Sequence, residues 1–327
     1  MELRWGILSA ANIAFEQVVP AIRKSPTSKV AAIASKSKPK LERFQIQTAY
    51  DSYDELLADE TLDSIYIPLP NELHAKYVIK ALEAGKHVLV EKPLAVNLEQ
   101  VEEVIAAQHE TEKVVLEAFM YQHHAQHSFV KAFIDKGELG EIKHIKAHFS
   151  WQIEDENDIR LNANLGGGAL NDVGCYCMHV ITQILKFHPS QIQYIKTEGQ
   201  DVDLTGVCTM VDQHGVTATF TCSMNMPFYD MYEIIGTKGS VRVEHSFRPD
   251  LSYDQKGHIT IFDENRKIIE KHKIEDDQYL RQIEEFERCI NNPDIAKQYL
   301  EASIQNMKYI QKAHESLNNR ILTTLEE

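Results

Sequence analysis

The sequence has few cysteines and no apolar run long enough to cross a bilayer. Its five cysteines contain no CxxC pair: Cys175, Cys177, Cys208, Cys222 and Cys289. An odd number of thiols without a disulfide framework is typical of a reducing compartment. A membrane span needs about 20 consecutive apolar residues, and the N-terminus has no basic segment followed by an apolar one. The sequence therefore predicts a cytoplasmic protein without a signal peptide.

Positive charge is also scarce. Lysine and arginine number 34 against 49 aspartates and glutamates, which gives a formal net charge of −15. Nucleic-acid binding needs a basic surface, so the charge argues against that class of partner and fits small-molecule ligands. The length of 327 residues, 43% of them hydrophobic, is enough for two domains with substantial cores.

The chain divides into two patterns near residue 122. In the first part, apolar runs at 3–9, 29–34, 63–67, 86–90 and 113–116 alternate with helical patterns at 74–84 and 97–109. Strands that alternate with helices form parallel sheets of βαβ units. From about residue 123, consecutive strands flank hairpin turns, which indicates antiparallel pairing. The sequence predicts an α/β domain at 1–122 and a mainly antiparallel α+β domain at 123–327.

The first strand–helix turn lacks the glycines of a dinucleotide-binding motif. No glycine lies between Gly6 and Gly85, and the motif positions hold Ser9, Ala11 and Ala14. All three side chains are small, so the backbone can still approach a pyrophosphate at the helix N-terminus. Many α/β proteins would show as much, and by itself this turn is a weak indication of cofactor binding.

The end of the second predicted strand favours NADP over NAD. An acidic residue at this point usually binds the ribose 2′-hydroxyl of NAD. Here the chain has Ser35, Lys36, Ser37 and Lys38, whose hydroxyls and ammonium groups suit a 2′-phosphate. The competing interpretation is an ordinary basic loop.

Two polar motifs point to catalysis. Glu91-Lys92-Pro93 follows an apolar strand, and ligands of open α/β sheets bind at the carboxyl ends of strands. Asp172 and Tyr176 follow a run of three glycines and have i, i+4 spacing on a predicted helix, with His179 three residues further. A lysine near a tyrosine lowers the pKa of the phenol, and the pair can then relay a substrate proton. The competing interpretation is a core tyrosine bonded to Asp172.

A histidine cluster raises the question of a metal. His123 and His127 have helical i, i+4 spacing, but no Glu follows His123 as in zinc hydrolases. Histidines in this arrangement are more often structural, so no metal site is predicted.

These motifs together resemble those of the glucose–fructose oxidoreductase / inositol dehydrogenase (Gfo/Idh/MocA) family. The likeness covers most of the chain and is strongest at residues 4–14, 70–74, 91–93, 117–121 and 166–176. It is closest to the branch of dimeric dihydrodiol dehydrogenases and NADP-dependent xylose dehydrogenases, which carry Tyr where many members carry His. The resemblance implies a Rossmann domain, a C-terminal domain with a large sheet whose open face forms a homodimer, and a cis bond before Pro93.

The resemblance also implies the functional residues and the reaction. Tyr176 is the acid/base, Lys92 tunes it and anchors substrate, and Asp172 orients substrate. The implied cofactor-binding residues are Gly6, Ser9, Ala11, Asn12, Ile13, Ser35, Lys36, Pro70, Asn71, His74, Glu91 and Lys92. The implied substrate-binding residues are Lys92, Phe119, Tyr121, Arg160, Asp172 and Tyr176, although an ordinary surface position for Arg160 and core positions for the aromatics stay open.

The expected activity is hydride transfer between NADP and a hydroxyl or carbonyl carbon of an aldose, polyol or dihydrodiol. A non-catalytic NADP-binding regulator of the same fold is the alternative. The presence of both Lys92 and Tyr176 argues against it, because a sensor needs no acid/base pair. A transhydrogenase that cycles two sugars is less favoured, because such enzymes carry an extra N-terminal segment.

Overall fold

The computed structural model describes residues 2–198 and 201–317, which form two compact units. The first unit contains the residues up to His124, Asn164–Gly166 and Asp277–Gln305. The second contains Ala125–Ala163, Gly167–Asp276 and the residues from Asn306. The sequence-based division near residue 122 lies close to the first of these boundaries. It assigned residues 277–305 to the second domain, whereas they pack with the first unit.

The first unit contains a six-stranded parallel sheet of the Rossmann type, which confirms the predicted fold class. The strands are β1 (Leu3–Leu8), β2 (Ser28–Ala34), β3 (Thr48–Tyr50), β4 (Ser64–Ile67), β5 (His87–Val90) and β6 (Val115–Glu117). Their order is β3-β2-β1-β4-β5-β6, and every neighbouring pair is parallel. All four residues of β4 are buried, as expected for a strand covered by helices on both faces.

Helices connect these strands. They are α1 (Val19–Lys24), preceded by a π-helical turn at Ala14–Val18, then α2 (Lys38–Glu42), α3 (Tyr53–Leu57), α4 (His74–Glu83) and α5 (Leu98–Thr111). Asn97 begins α5, because its side chain accepts a hydrogen bond from the Gln100 amide at 2.9 Å.

The second unit contains an eight-stranded, mainly antiparallel sheet. Its strands are β7 (Ile142–Gln152), β8 (Pro189–Glu198), β9 (Asp203–Asp212), β10 (Thr217–Ser223), β11 (Asn225–Gly236), β12 (Gly239–Glu244), β13 (Gly257–Asp263) and β14 (Ile268–Ile274). The order is β14-β13-β12-β11-β7-β10-β9-β8. The hairpin pattern holds except at the centre, where β7 and β10 pair in parallel.

The two faces of this sheet differ in exposure. Residues such as Cys208 and Phe220 are buried, whereas Ile195, Val207 and Tyr229 are exposed apolar side chains. Strand residues alternate between faces, so each strand contributes to both. The unit also contains helix α6 (Ala125–Asp135) and α7 (Cys175–His179).

Two helices at the end of the described chain are α8 (Gln278–Asn291) and α9 (Pro293–Ser316). Helix α8 packs on the first unit, where the Phe286 ring lies 4.7 Å from the Trp5 ring. The carboxylate of Glu287 accepts hydrogen bonds from Ser28 at 2.6 Å and Ser25 at 2.9 Å. Across residues 2–198 and 201–317, none of the helices combines the length and apolarity needed to cross a membrane.

Candidate active site

The first strand–helix turn adopts a conformation that normally belongs to glycine. Ser9 follows β1 with a φ of 105°, and its amide donates to the Ala34 carbonyl at 2.9 Å. Non-glycine residues rarely adopt this region, and the cost persists only where surrounding structure imposes it. Ser9 therefore makes the turn that the missing glycine makes in related folds. Asn12 and Ile13, both predicted to bind cofactor, begin the helix that follows.

Replacing Ser9 with glycine tests this strain. The side chain also bonds Tyr53, so the matched control is Ser9→Ala, which loses that bond but keeps the Cβ. We expect Ser9→Gly to have a free energy of unfolding about 1–2 kcal/mol higher than Ser9→Ala. Urea denaturation of both variants measures the difference, and equal stabilities would contradict the strain.

The end of β2 offers hydroxyl and ammonium groups, as predicted. Ser35 accepts a hydrogen bond from the Ser37 amide at 3.2 Å, and Lys36 is exposed. Arg43 lies beside the first strand–helix turn. It was not recognised in the sequence, because no short motif links it to Asn12, 31 positions away. Its guanidinium donates to the Ala10 carbonyl at 3.0 Å and to the Asn12 side chain at 2.9 Å. A strained turn of small residues with this polar, partly basic border fits a phosphorylated dinucleotide.

Two of the predicted cofactor residues have close contacts within the protein. Gly6 is buried inside β1, where a Cβ would lie 2.8 Å from side-chain atoms of both Leu56 and Leu62. His74 is fully buried, and burial lowers the pKa of its imidazole to about 4. Its Nδ1 and Nε2 lie 2.6 Å and 2.8 Å from the carbonyls of Pro93 and Leu69. These contacts place both residues in the framework of the first unit, and their contact with the cofactor stays a prediction.

The Glu91-Lys92-Pro93 motif forms a turn directly after β5. The Lys92–Pro93 bond is cis. The Tyr66 hydroxyl of β4 donates to Glu91 Oε1 at 2.6 Å, and His74 contacts the Pro93 carbonyl. Lys92 is partly exposed between these two fixed residues. The fold thus places the lysine at the carboxyl edge of the parallel sheet.

The remaining predicted residues of the first unit lie near this edge or in its core. Pro70 precedes a short helical turn, Asn71–Leu73, and the Asn71 side chain donates to the Gly166 carbonyl at 2.9 Å. Phe119 and Tyr121 are 1% and 0% exposed, with ring centroids 6.3 Å apart. Both side chains are buried, and their proposed contact with substrate stays a prediction.

Asp172 is the centre of a polar cluster in the second unit. It lies in a π-helical turn, Leu170–Gly174, which leads directly into α7. Trp151 Nε1 and Arg160 Nε each donate to the carboxylate at 3.2 Å. Asp172 raises the pKa of the Arg160 guanidinium further above its usual range, and the guanidinium also lies 5.2 Å from the Trp151 ring. Arg160 is thus paired with the predicted substrate-orienting carboxylate.

Tyr176 lies on α7 and packs edge-on against two aromatic rings that also contact each other. It is 6% exposed, with Phe149 at 5.3 Å and Phe247 at 5.6 Å between ring centroids. Asp230 fixes Phe247, because its carboxylate accepts a hydrogen bond from the Phe247 amide at 3.1 Å. Burial raises the pKa of Asp230 to about 7. His179 ends α7 and is buried.

The glycines before this helix have a role within the protein. A Cβ on Gly167 would collide with the Arg160 carbonyl, and one on Gly168 would collide with the Asp203 carboxylate. That carboxylate also accepts a hydrogen bond from the Leu170 amide at 2.9 Å. The absence of side chains at these glycines thus allows close approach to neighbouring backbone and to Asp203.

The fold and its polar edge define a Rossmann-type oxidoreductase. Residues 3–119 match the family described as "Oxidoreductase family, NAD-binding Rossmann fold", and residues 127–242 match the GFO/IDH/MocA C-terminal domain. The chain belongs to the GFO/IDH/MocA family, which confirms the resemblance inferred from its motifs. It is an NAD(P)-dependent oxidoreductase.

Characterised relatives align along most of the chain. The dTDP-3,4-didehydro-2,6-dideoxy-alpha-D-glucose 3-reductase of Actinomadura kijaniata is 31% identical over 314 residues, 94% of this chain and 93% of that protein. D-xylose 1-dehydrogenase (NADP(+)) 2 of Haloferax volcanii is 31% identical over 323 residues, 96% of this chain and 97% of that protein. Trans-1,2-dihydrobenzene-1,2-diol dehydrogenase of Xenopus tropicalis is 30% identical over 253 residues, 74% and 76% of the two chains.

A solved structure agrees with the fold over nearly its whole length. A 3-ketoreductase from Actinomadura kijaniata in complex with NADP and TDP-benzene superimposes with a TM-score of 0.89 at 29% identity, covering 97% of this chain and 98% of that one. Two variants of that reductase are solved with the same ligands, one with a tyrosine changed to phenylalanine and one with a lysine changed to alanine. The predicted NADP cofactor is confirmed to this extent: neighbouring structures hold NADP, and the xylose dehydrogenase uses it.

Proposed function

We propose that this protein transfers a hydride between NADP and a hydroxyl or carbonyl carbon of a small polyhydroxylated substrate. The observation that carries the proposal is the segment holding Asp172 and Tyr176. A buried phenol packs against two aromatic rings, one turn from a carboxylate that accepts hydrogen bonds from Trp151 and Arg160. A buried phenol and a fixed carboxylate are suited to moving and orienting a substrate proton.

The proposed roles divide the chemistry among three side chains. In the oxidative direction, Tyr176 accepts the proton of the substrate hydroxyl, and in the reductive direction it returns that proton to the oxygen. Asp172 accepts a hydrogen bond from a second substrate hydroxyl. Lys92 holds the reacting oxygen and favours the ionised phenol, which requires that both residues act on one substrate. The nicotinamide, when bound, supplies or accepts the hydride.

The solved variants of the Actinomadura reductase support this choice of residues. The substituted tyrosine and lysine of that protein are separated by the same number of residues as Lys92 and Tyr176 in this chain. Equal spacing of the same two residue types in a relative with the same fold favours equivalent positions.

Substrate class follows from the relatives only in general terms. They act on a deoxysugar nucleotide, on D-xylose and on a dihydrodiol, as their names state. Vicinal oxygens on a small ring or chain are common to all three. We infer that the substrate is an aldose, a polyol or a dihydrodiol.

Cofactor and substrate can be tested together. Calorimetric titration should show NADP⁺ binding at least ~10-fold more tightly than NAD⁺, since about 1.4 kcal/mol from contacts to the 2′-phosphate gives that factor. Lys36→Ala should weaken NADP⁺ binding and leave NAD⁺ binding unchanged, while the exposed control Lys76→Ala should change neither.

Absorbance at 340 nm then follows turnover with aldoses, polyols and dihydrodiols. Turnover of a substrate from one of these classes would support the proposed NADP-dependent hydride transfer. Tight NADP⁺ binding with no turnover on any class would favour the regulator instead, and equal affinity for both cofactors would contradict the proposed role of Ser35 and Lys36.

We also propose that the protein is a homodimer through the exposed face of the eight-stranded sheet. Ile195 and Val207 are paired residues of neighbouring strands, and both are exposed. Apolar side chains clustered on an open sheet face favour a protein partner. Sedimentation equilibrium should give twice the 37.4 kDa mass of the chain, and a monomer at micromolar concentration would contradict the proposal.

A further inference from the structure

A buried carboxylate lies under the turn that carries Lys92. Glu117 is the last residue of β6 and is 6% exposed. Its Oε1 accepts a hydrogen bond from the Leu94 amide at 2.8 Å, and the nearby Ser303 hydroxyl lowers the pKa of the carboxyl group. Burying a carboxyl group is costly even when it is hydrogen-bonded. An apolar side chain would fill this space without that cost, so packing alone does not account for Glu117.

Glu117 completes a set of three restraints on one turn. Tyr66 holds Glu91 and His74 holds the Pro93 carbonyl, as described above, and Glu117 holds the amide of Leu94. Each restraint comes from a different element: β4, α4 and β6. The backbone on both sides of Lys92 is therefore fixed, whereas a surface loop would need no such fixing.

Glu117 also interacts electrostatically with its charged neighbours. Burial raises the pKa of Glu117 to about 7, opposed by the hydrogen bonds from Ser303 and the Leu94 amide. The charge of Lys92 lowers the pKa and the charge of Glu91 raises it. Interactions between two titrating groups are mutual, so the ammonium of Lys92 responds to the charge on Glu117.

We propose that Glu117 is a positioning residue for Lys92: its carboxyl group fixes the backbone after Pro93 and supplies a negative charge beside the lysine. The inference rests on the proposed function for the importance of Lys92, but not for the interaction itself. Glu117 acts through Lys92 and needs no contact with substrate.

Three variants separate the two parts of this role. Glu117→Gln keeps an oxygen for the Leu94 amide and removes the charge. Glu117→Leu removes both at similar size. Glu103→Gln, an exposed carboxylate on α5, is the control for loss of one negative charge.

The first measurement needs no substrate. Lysines of the full-length protein are reductively methylated with ¹³C-formaldehyde, and Lys92→Arg assigns the Lys92 signal in the NMR spectrum. In Glu117→Gln the Lys92 amine should lose its proton at a pH lower by about one unit, the effect of removing a nearby opposite charge. Glu103→Gln should match the wild type, and NADP⁺ affinity should be unchanged in all variants.

Turnover tests whether Glu117 fixes the backbone next to Lys92. It is measured with whichever aldose, polyol or dihydrodiol proves to be a substrate. Glu117→Leu should reduce kcat ~10–100-fold with KM changed less than ~3-fold, and Glu117→Gln should recover part of the loss. An identical Lys92 titration in wild type and Glu117→Gln would overturn the proposal. If Glu117→Leu does not fold, the Glu117→Gln titration decides the question. If none of the aldoses, polyols and dihydrodiols is turned over, that result counts against the proposed function, and the result of the Lys92 titration still stands.

Discussion

Changing Lys92 to alanine is expected to reduce turnover ~10²–10⁴-fold while NADP⁺ binding stays within a few-fold of the wild type. In the proposed mechanism Lys92 supplies the cation that favours the ionised Tyr176 and holds the reacting oxygen, and this substitution removes it. The turn itself should survive, because Glu91 and Pro93 are fixed by Tyr66 and His74 rather than by the lysine side chain. Steady-state kinetics and calorimetry separate the two effects.

The control for Lys92→Ala is Lys76→Ala, which removes an exposed lysine on α4. It should leave turnover unchanged, so general loss of positive charge is excluded as the cause. A Lys92→Ala variant with more than about a third of the wild-type turnover would remove Lys92 from the proposed mechanism, because an acid/base group contributes at least ~100-fold.

Changing Tyr176 to phenylalanine should have an effect of similar size, ~10²–10⁴-fold on turnover. The substitution removes one oxygen and keeps the ring that packs against Phe149 and Phe247. The melting temperature and NADP⁺ affinity should therefore change little. Loss of turnover then reports on proton transfer rather than on folding.

Tyr229→Phe is the matched control, since Tyr229 is 52% exposed and lies on strand β11 rather than on helix α7. Its turnover should equal that of the wild type. If Tyr176→Phe retained nearly normal turnover, another group would have to move the proton. Near-normal turnover in both the Lys92 and Tyr176 variants would contradict the proposed mechanism and favour the alternative function, a non-catalytic NADP-binding regulator.

Long, strongly patterned elements were predictable from the sequence. The apolar run at 29–34 corresponds to β2 at Ser28–Ala34, and the run at 86–90 to β5 at His87–Val90. An apolar run of about four to eight residues, bounded by polar or turn-forming residues, is enough to predict a buried strand. The apolar pattern predicts these strands because burial of their apolar side chains is what stabilises them in the sheet.

Short and compound elements were not predictable. Strand β3 has only three residues, Thr48–Tyr50, none of them buried, so it leaves no apolar pattern. The parallel pairing of β7 with β10 joins strands far apart in sequence, which no hairpin signal reports. The helix expected after the glycines is a π-helical turn, then α7, then a second π-helical turn at Val180–Ile184. Hydrophobic spacing does not distinguish these from one regular helix.

The candidate site was predictable as residue types and not as contacts. Lys92, Asp172 and Tyr176 follow from motifs and spacing. The hydrogen bonds of Asp172 with Trp151 and Arg160 depend on how a strand and a loop fold back on the helix, and sequence distance does not determine that. The same holds for the hydrogen bond from Leu94 to Glu117, which joins the turn after β5 to the carboxyl end of the neighbouring strand β6.

The attachment of helix α8 to β1 governs how this chain can be divided. Trp5 packs against Phe286, and Glu287 accepts hydrogen bonds from Ser28 and Ser25, so the nucleotide-binding unit includes a segment that lies more than 150 residues further along the chain, at 277–305. A fragment cut near residue 122 would leave that apolar face in water. Exchanging this half between relatives, or splitting the protein for complementation, therefore requires that residues 277–305 travel with it.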